Sequence, residues 1–336
     1  MIEILDPGPL TTVQDLGRFG FLRFGIPPSG PMDRDAFVAA NLLVGNSHSM
    51  AALECTLIGP RFRAHAQCAI AVTGAEMPVT MNAEPASRRT VLALQPGDVV
   101  RIGPARTGVR GYIAFRGGID VPLVMGSRST YLRGGLGGLE GRALRKGDRL
   151  KLLPALGSGH APLETCRAVE HALAPSRGEG GGEGKPSAPA HHAADVQPGE
   201  AEIRVVLGPQ ADRFTERGIA AFLGSPYEML PQSDRMGARL RGASIAHVRG
   251  HDIVSDGIAL GSVQVAGDGQ PIVLLVDRQS TGGYTKIATV CSFDIGRIAQ
   301  TRPGQMLRFR AIRLEQAHNE LRRAYERSAN SAPAGS

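Results

Sequence analysis

The sequence predicts a mainly β protein with a few helices, built as two related β-barrel units. Three observations carry that prediction. Gly 44 plus Pro 23 gives 67 turn-forming residues in 336, about one in five, which suits short strands joined by tight turns better than long helices. Short apolar runs recur between Gly and Pro: Ala69-Ile-Ala-Val-Thr-Gly, Thr90-Val-Leu-Ala-Leu and Val99-Val-Arg-Ile-Gly. A small turn followed by an alternating strand occurs at Gln95-Pro-Gly-Asp-Val-Val-Arg-Ile, Arg145-Lys-Gly-Asp-Arg-Leu-Lys-Leu and Arg302-Pro-Gly-Gln-Met-Leu-Arg-Phe. Gly in each turn permits positive φ, and the alternation then gives one wet and one buried face. Two copies lie in the first half and the third closes the second, so each half ends on a similar strand.

The rest of the chain fits around those strands. With no Trp and only 15 Phe and Tyr, the cores rest on Val, Ile, Leu and Ala. Residues 174–195 contain no Val, Ile, Leu, Met or aromatic side chain, so they cannot offset their ordering entropy by burial. The expected organisation is therefore a β-rich unit at 1–155, a Gly/Pro/Ala-rich linker at 156–200 and a second unit at 201–312. A helix at 313–327 and a disordered tail at 328–336 follow. Pro31 to Gly45 predicts a helix, with Asp33 and Asp35 at its start, apolar residues at helical spacing and Gly45 at its end. Asp212–Leu223 predicts a second helix. Leu314, Ala317, Leu321 and Tyr325 share one face of a third.

Composition removes several function classes. No apolar run reaches the ~18 residues that span a bilayer, and the N-terminus lacks the basic flank and apolar stretch of a signal peptide. Cys55, Cys68, Cys166 and Cys291 are scattered without a CxxC pair, which argues against a zinc site or a disulfide scaffold and makes a reducing cytoplasm the simplest setting. Net charge is 38 − 31 = +7, but the cations are spread along the chain and almost all are arginine. Without a basic run or an aromatic ladder, nucleic acid is not an expected partner.

The densest polar segment is Asp277-Arg-Gln-Ser-Thr-Gly-Gly-Tyr-Thr-Lys286, following the unbroken apolar run Pro271–Val276, which reads as a strand buried on both faces. Read as a turn, Gly282-Gly283 would let backbone N–H groups approach an anion, Lys286 would hold a carboxylate or phosphoryl oxygen and Tyr284 would donate a hydrogen bond. The alternative is a hairpin whose polar groups satisfy its own backbone. In Ser233-Asp-Arg-Met-Gly-Ala-Arg, a strand would place Arg235 and Arg239 on one face, as an oxyanion clamp or as an Asp234–Arg pair on a solvated edge. Gln14, Asp15 and Arg18 either line a cleft or knit their own loop. Gly134-Gly-Leu-Gly-Gly lacks the Lys-Ser/Thr end of a phosphate loop and reads as a mobile turn. His191-His192 lies in the linker, and the spacing of His247 and His251 around Gly250 argues against a helical metal pair, so no metal site is expected.

These motifs resemble one family in order and along most of the chain. The matching segments are Thr12-Val-Gln-Asp-Leu-Gly-Arg, Ser29-Gly-Pro-Met-Asp, Asn41-Leu-Leu-Val-Gly-Asn, Leu53-Glu-Cys-Thr-Leu, Arg116-Gly-Gly-Ile-Asp and Gly126-Ser-Arg-Ser-Thr. They continue with Ser233-Asp-Arg-Met-Gly-Ala-Arg-Leu, Gly261-Ser-Val-Gln-Val, Gly269-Gln-Pro-Ile-Val-Leu-Leu-Val-Asp, Thr281-Gly-Gly-Tyr and Ala299-Gln-Thr-Arg-Pro-Gly. The chain resembles the KipA/allophanate hydrolase subunit 2 family, also known as the biotin-dependent carboxyltransferase or 5-oxoprolinase C-subunit family. Ser280, Thr285 and the long linker depart from the family's usual pattern.

The resemblance implies cyclophilin-like β-barrel units. It implies one subunit of an ATP-dependent 5-oxoprolinase, a hydrolase working with a KipI-type subunit and a LamB/YcsF-type subunit. ATP would be bound by the complex, with its place among the subunits not fixed. A second implied activity is carboxyl transfer from carboxybiotin to urea, as in urea amidolyases. A third is a regulatory protein that binds and counteracts a KipI-type kinase inhibitor. No Met-Lys-Met-like hairpin is present, so this chain is not expected to carry covalently attached biotin.

Both enzymatic readings need fixed donors aimed at developing negative charge. On them, Lys286, Arg235 and Arg239 stabilise an oxyanion or phosphoryl group, Gln264 and Gln279 orient the substrate amide, Tyr284 donates, and Asp277 orients or accepts a proton. Thr281, Gly282, Gly283, Ser233 and Asp234 add substrate contacts, and Gln14, Asp15 and Arg18 close the cleft. The scheme requires the Gly282-Gly283 bend and the arginines at 235 and 239 to face one another across a dry hollow.

Overall fold

Alternation along two central strands sets the layers of the first part of the chain. The computed structural model describes residues 1–155 and 201–330, with side chains as far as 323. The segment read as a linker, with Cys166, His191 and His192, lies outside the described residues, as do 331–336. The first part contains β1 (Ile2–Asp6), β2 (Thr11–Gln14), α1 (Arg34–Leu43), β3 (Ala52–Thr56), β4 (Arg61–Ala64), β5 (Cys68–Glu76) and β6 (Val79–Met81). It continues with β7 (Glu84–Ala86), β8 (Leu92–Leu94), β9 (Val99–Ile102), β10 (Thr107–Phe115), β11 (Ile119–Asp120) and β12 (Arg149–Leu152).

These strands pair as a seven-stranded sheet, β11-β12-β1-β4-β9-β6-β7, and a five-stranded sheet, β2-β3-β10-β5-β8. Ile70, Val72, Ile113 and Phe115 from β5 and β10 enter a core shared with Ile2, Ile4, Phe62 and Val100 of the larger sheet. On the opposite face Ala71, Tyr112 and Ala114 meet Phe37, Ala40 and Leu43 of α1. The small side chains there let the helix lie close to the sheet. α1 starts as the sequence predicts: the Asp33 side chain accepts a hydrogen bond from the Ala36 N–H, and Gly45 follows the helix with φ +75°.

The second part contains β13 (Ala201–Leu207), α2 (Glu216–Gly224), β14 (Tyr227–Met229), β15 (Gly237–Gly242), β16 (Asp252–Gly257), β17 (Ser262–Val265) and β18 (Pro271–Leu274). β19 (Thr281–Val290), α3 (Ile295–Gln300), β20 (Met306–Ala311) and α4 (Leu314–Asn330) complete it. Seven strands run β13-β20-β14-β15-β18-β17-β19, and β19 pairs back onto β13 to close a barrel; β16 adds to β19 outside the closure. Val205, Met229, Leu240, Val263, Val273 and Ile287 belong to its core.

The mainly β class with barrel units holds, and each turn-and-strand repeat forms. Gly97 (φ +98°), Gly147 (φ +91°) and Gly304 (φ +86°) precede β9, β12 and β20. Three local readings change. Asp212–Leu223 is not one helix: a 3-10 turn at Ala211–Arg213 ends before Thr215, whose hydroxyl accepts from the Gly218 N–H and starts α2 afresh. α4 runs to Asn330, so residues 328–330 continue the helix. Gly282-Gly283 lies inside β19 without positive φ, and no bend forms there.

The fold rests on the face between α1 and the five-stranded sheet. Phe37 is fully buried there, edge-on to Tyr112 at 6.1 Å between ring centroids. Phe37→Ala is expected to cost about 3–5 kcal/mol of unfolding free energy, read from urea denaturation followed by circular dichroism.

Candidate functional site

A buried polar network joins the two parts of the chain. Arg235 is 5% exposed. Its Nε donates to Asp277 Oδ2 at 2.8 Å, its Nη2 to Gly30 O at 2.7 Å, and its Nη1 to Glu54 Oε1. Glu54 Oε2 also accepts from the Met32 N–H and the Tyr112 hydroxyl, both at 2.8 Å. Gln300 of α3 donates to Asp33 Oδ2 at 2.8 Å and accepts from the Val109 and Arg110 N–H groups at 2.9 Å. Arg302 donates to Gly108 O at 2.8 Å and to Ala105 O.

Burial alone would pull the Arg235 guanidinium down, but Glu54 and Asp277 hold it above its ordinary range. Burial pushes the Tyr112 hydroxyl well up, helped by the charges of Glu54 and Asp33. Burial also raises Asp33 to about 6, against the hydrogen bonds from Gln300 and Ala36.

This network corrects the proposed arginine clamp. Arg235 sits in the turn before β15, where strand alternation does not apply, and is turned inward to Asp277 and Glu54. Arg239 lies within β15 with an exposed side chain. The two do not share a face, and Asp277 is committed to Arg235. Ser233 and Asp234 hold their own turn: Asp234 Oδ1 accepts from Met236 N at 2.8 Å and Gly237 N at 3.1 Å, and Ser233 Oγ accepts from Arg239 N at 3.0 Å.

A second polar group lies on the outer flank of the barrel. Ile287 of β19 enters the core, while Lys286 pairs in register with Gln264 of β17. Lys286 is 2% exposed, and its Nζ donates to Asp256 Oδ2 at 2.9 Å and to Gly257 O at 3.4 Å. The Lys286 N–H donates to Gln210 Oε1 at 3.0 Å. Asp256 is exposed, and the hydrogen bond from Lys286 holds its carboxyl below the usual range, with the Gly257 N–H helping.

Gln264 Nε2 donates to Tyr284 O at 3.3 Å. A Cβ on Gly282 would stand 2.7 Å from that nitrogen and from Ile258 Cδ1, so glycine here serves close side-chain approach. Tyr284 is 40% exposed and 6.0 Å from the His251 ring, which lies 6.3 Å from His247. His247 Nε2 lies 3.0 Å from Thr285 Oγ1, and burial lowers its pKa, with the charge of His251 adding to that. Gln279 and Thr281 are exposed where the chain enters β19.

The N-terminal trio is knitted to residues 127–130. Gln14 Nε2 donates to Thr12 Oγ1 at 3.0 Å and Thr130 O at 3.2 Å. The Asp15 carboxylate accepts from Ser127 Oγ and Ser129 Oγ at 2.6 Å, Arg128 N at 2.5 Å and Gly17 N at 2.9 Å. Arg18 Nη2 donates to Ser129 O. The Gly134–Gly138 segment is packed rather than loose: a Cβ on Gly137 would meet Arg18 Nη2 at 2.5 Å, and one on Gly138 would collide with Thr130 Oγ1.

Residues 24–311 match the model of the carboxyltransferase domain, subdomain A and B. The chain belongs to this carboxyltransferase-domain family. It is 37% identical over 319 residues to the 5-oxoprolinase C subunit of Escherichia coli (strain K12), covering 94% of this chain and 93% of that one. It is 34% identical to the urea amidolyase of Lachancea kluyveri over 325 residues, which cover 91% of this chain and 17% of that protein. The crystal structure of the K. lactis urea amidolyase superposes with a TM-score of 0.84 at 31% identity, over 98% of this chain and 20% of that one.

Within this carboxyltransferase-domain chain, the structure brings Lys286, Gln264 and Tyr284 together and leaves Arg239 apart. Sequence reasoning missed Glu54, Asp256, Gln210 and Gln300. Glu54 was visible only inside the matching segment Leu53-Glu-Cys-Thr-Leu, and nothing local paired it with Arg235.

The buried Asp33 gives a pH signature. Its carboxyl is raised, so the folded chain keeps a proton that the unfolded chain releases. Its contribution to stability therefore falls as pH rises from about 4 to about 6 and stays low above that. Asp33→Asn is expected to flatten this fall by about 2–3 kcal/mol, measured as the pH dependence of unfolding free energy in variant and parent.

Proposed function

We propose that this chain is the C subunit of an ATP-dependent 5-oxoprolinase, a hydrolase complex that opens 5-oxoproline to glutamate with ATP and water. A KipI-type subunit and a LamB/YcsF-type subunit are its proposed partners, and the cytoplasm its proposed setting. The observation that carries this reading is the 37% identity with the E. coli 5-oxoprolinase C subunit over 319 residues. On this reading ATP is bound by the complex, its place among the subunits not fixed.

Opening a lactam passes through an oxyanion on the former carbonyl oxygen. On this reading the Lys286 ammonium, buried and backed by Asp256, stabilises such charge, where a fixed donor is worth far more than in water. The Gln264 side chain and the Tyr284 hydroxyl on the same flank orient the amide. The KipI-type subunit completes the enclosure on this reading, and the chain alone is inactive.

Carboxyl transfer to urea is the second reading, favoured by the superposition on the K. lactis urea amidolyase. It uses the same flank, since a carboxyl group moving to urea also develops oxyanion charge. A purely regulatory role predicts no turnover with every subunit present.

The test is glutamate release from 5-oxoproline by the reconstituted three-subunit complex. Lys286→Ala is expected to lower kcat about 100-fold and Tyr284→Phe about 10-fold. ATP-independent release sinks the assignment, and near-parent turnover from both variants removes the Lys286 flank from the mechanism. Urea-dependent consumption of carboxybiotin without glutamate release moves it to the second reading.

A further inference from the structure

The outward face of the seven-stranded sheet carries charges that the fold does not need. Its neighbouring strands β12, β1, β4 and β9 alternate between core and solvent. Ile2, Ile4, Phe62, Val100, Ile102 and Leu150 enter the core. Alternate positions on the other face carry Glu3, Arg61, Arg63, Arg101, Arg149 and Lys151, five cations and one acid.

The register sets these charges in rows. Glu3 lies between Arg149 and Arg63. Its Oε2 is 2.7 Å from His65 Nε2 and 3.6 Å from Arg63 Nη1. The His65 hydrogen bond, helped by the charges of Arg63 and Arg149, holds the Glu3 carboxyl below its usual range. One carboxylate thus serves three basic side chains. Lys151 lies opposite Asp120 of β11. In the next row Arg61 faces Arg101 directly, and both are exposed. Asp6 flanks Arg61 in register, but its Oδ1 accepts from Gly8 N at 3.0 Å, and neither arginine forms an ion pair among the described residues. Like charges directly opposite on neighbouring strands weaken a sheet. A partner that brings the opposite charge accounts for keeping them.

We propose that this sheet face docks an acidic face of the LamB/YcsF-type subunit. Arg61, Arg101 and Arg149 take its carboxylates, for which a planar guanidinium supplies paired donors. The net charge of +7 draws an acidic partner toward this chain. The proposal rests on the 5-oxoprolinase reading, in which the KipI-type subunit closes the Lys286 flank on the barrel and leaves this sheet to the third subunit. Nucleic acid is the poorer fit, since these rows hold no aromatic side chain on which a base could stack.

The test is calorimetric titration of the chain with the LamB/YcsF-type subunit, alone and with the KipI-type subunit already bound. Parent binding is expected to weaken at least about 10-fold between about 50 and about 300 mM salt. Arg61→Glu/Arg101→Glu is expected to weaken it by about the same factor at low salt and to leave the affinity for the KipI-type subunit unchanged. Arg101→Glu alone sets a carboxylate opposite Arg61 and is expected to raise the Tm of the isolated chain, which separates lost binding from lost folding. A fall in Tm overturns the premise that the like-charged pair is a cost. Parent-like binding by the double variant, or no binding by the parent, overturns the surface. A loss that falls on KipI-type binding instead overturns the choice of occupant. Tighter binding to a DNA duplex than to the LamB/YcsF-type subunit, lost in the same double variant, overturns the acidic-protein assignment. Glutamate release is followed separately. A complex that releases none while its assembly depends on Arg61 and Arg101 loses the 5-oxoprolinase reading and keeps this surface.

Discussion

The two parts of this protein are held in register by one arginine. Arg235 reaches Glu54, 181 residues earlier, and Asp277, 42 residues later, and Glu54 passes the connection on to Tyr112 and the start of α1. Charges this deep cost several kcal/mol each to desolvate, so the group is stable only as a complete set. What the set supplies is geometry. Its partners sit on α1's entry, on the five-stranded sheet and on the turn between β18 and β19, so the two parts can dock in one way. Gln300 and Arg302 repeat the device further along the same seam with backbone acceptors.

This seam explains why the flank bearing Lys286 is a surface with fixed geometry. The turn that contains Asp277 leads straight into β19, and β19 carries Tyr284 and Lys286 while closing the barrel against β13. A shift at Asp277 would move along a strand paired on both edges. The polar groups of the candidate site therefore inherit their precision from a buried ion-paired network.

Much of the fold was legible because its signals are local. Asp33, the apolar spacing and Gly45 define α1 within fifteen residues, and the three Gly turns announce β9, β12 and β20. Lys286 and Gln264 were legible as candidates because buried strand positions rarely carry such side chains. The rest was illegible for one reason: the deciding contacts are distant in sequence. Gly282 reads as a turn residue until Gln264, eighteen residues away, is seen to need the space of its missing Cβ. Arg235 and Arg239 read as a pair until Glu54 claims one of them. Asp256 sits in an exposed polar strand that gives no sign that it faces a buried ammonium.

The contrast between the two buried cations separates structure from function. Arg235 is enclosed by two carboxylates that are themselves buried, at 2% and 6% side-chain exposure, so nothing from solvent can reach it. Lys286 is buried to the same degree, but its carboxylate, Asp256, is 56% exposed. An exposed carboxylate can turn away into water at little cost, whereas a buried one cannot. An ammonium held by a displaceable partner can exchange that partner for a developing oxyanion and still remain within its desolvated setting. That difference is why Lys286 rather than Arg235 carries the proposed chemistry.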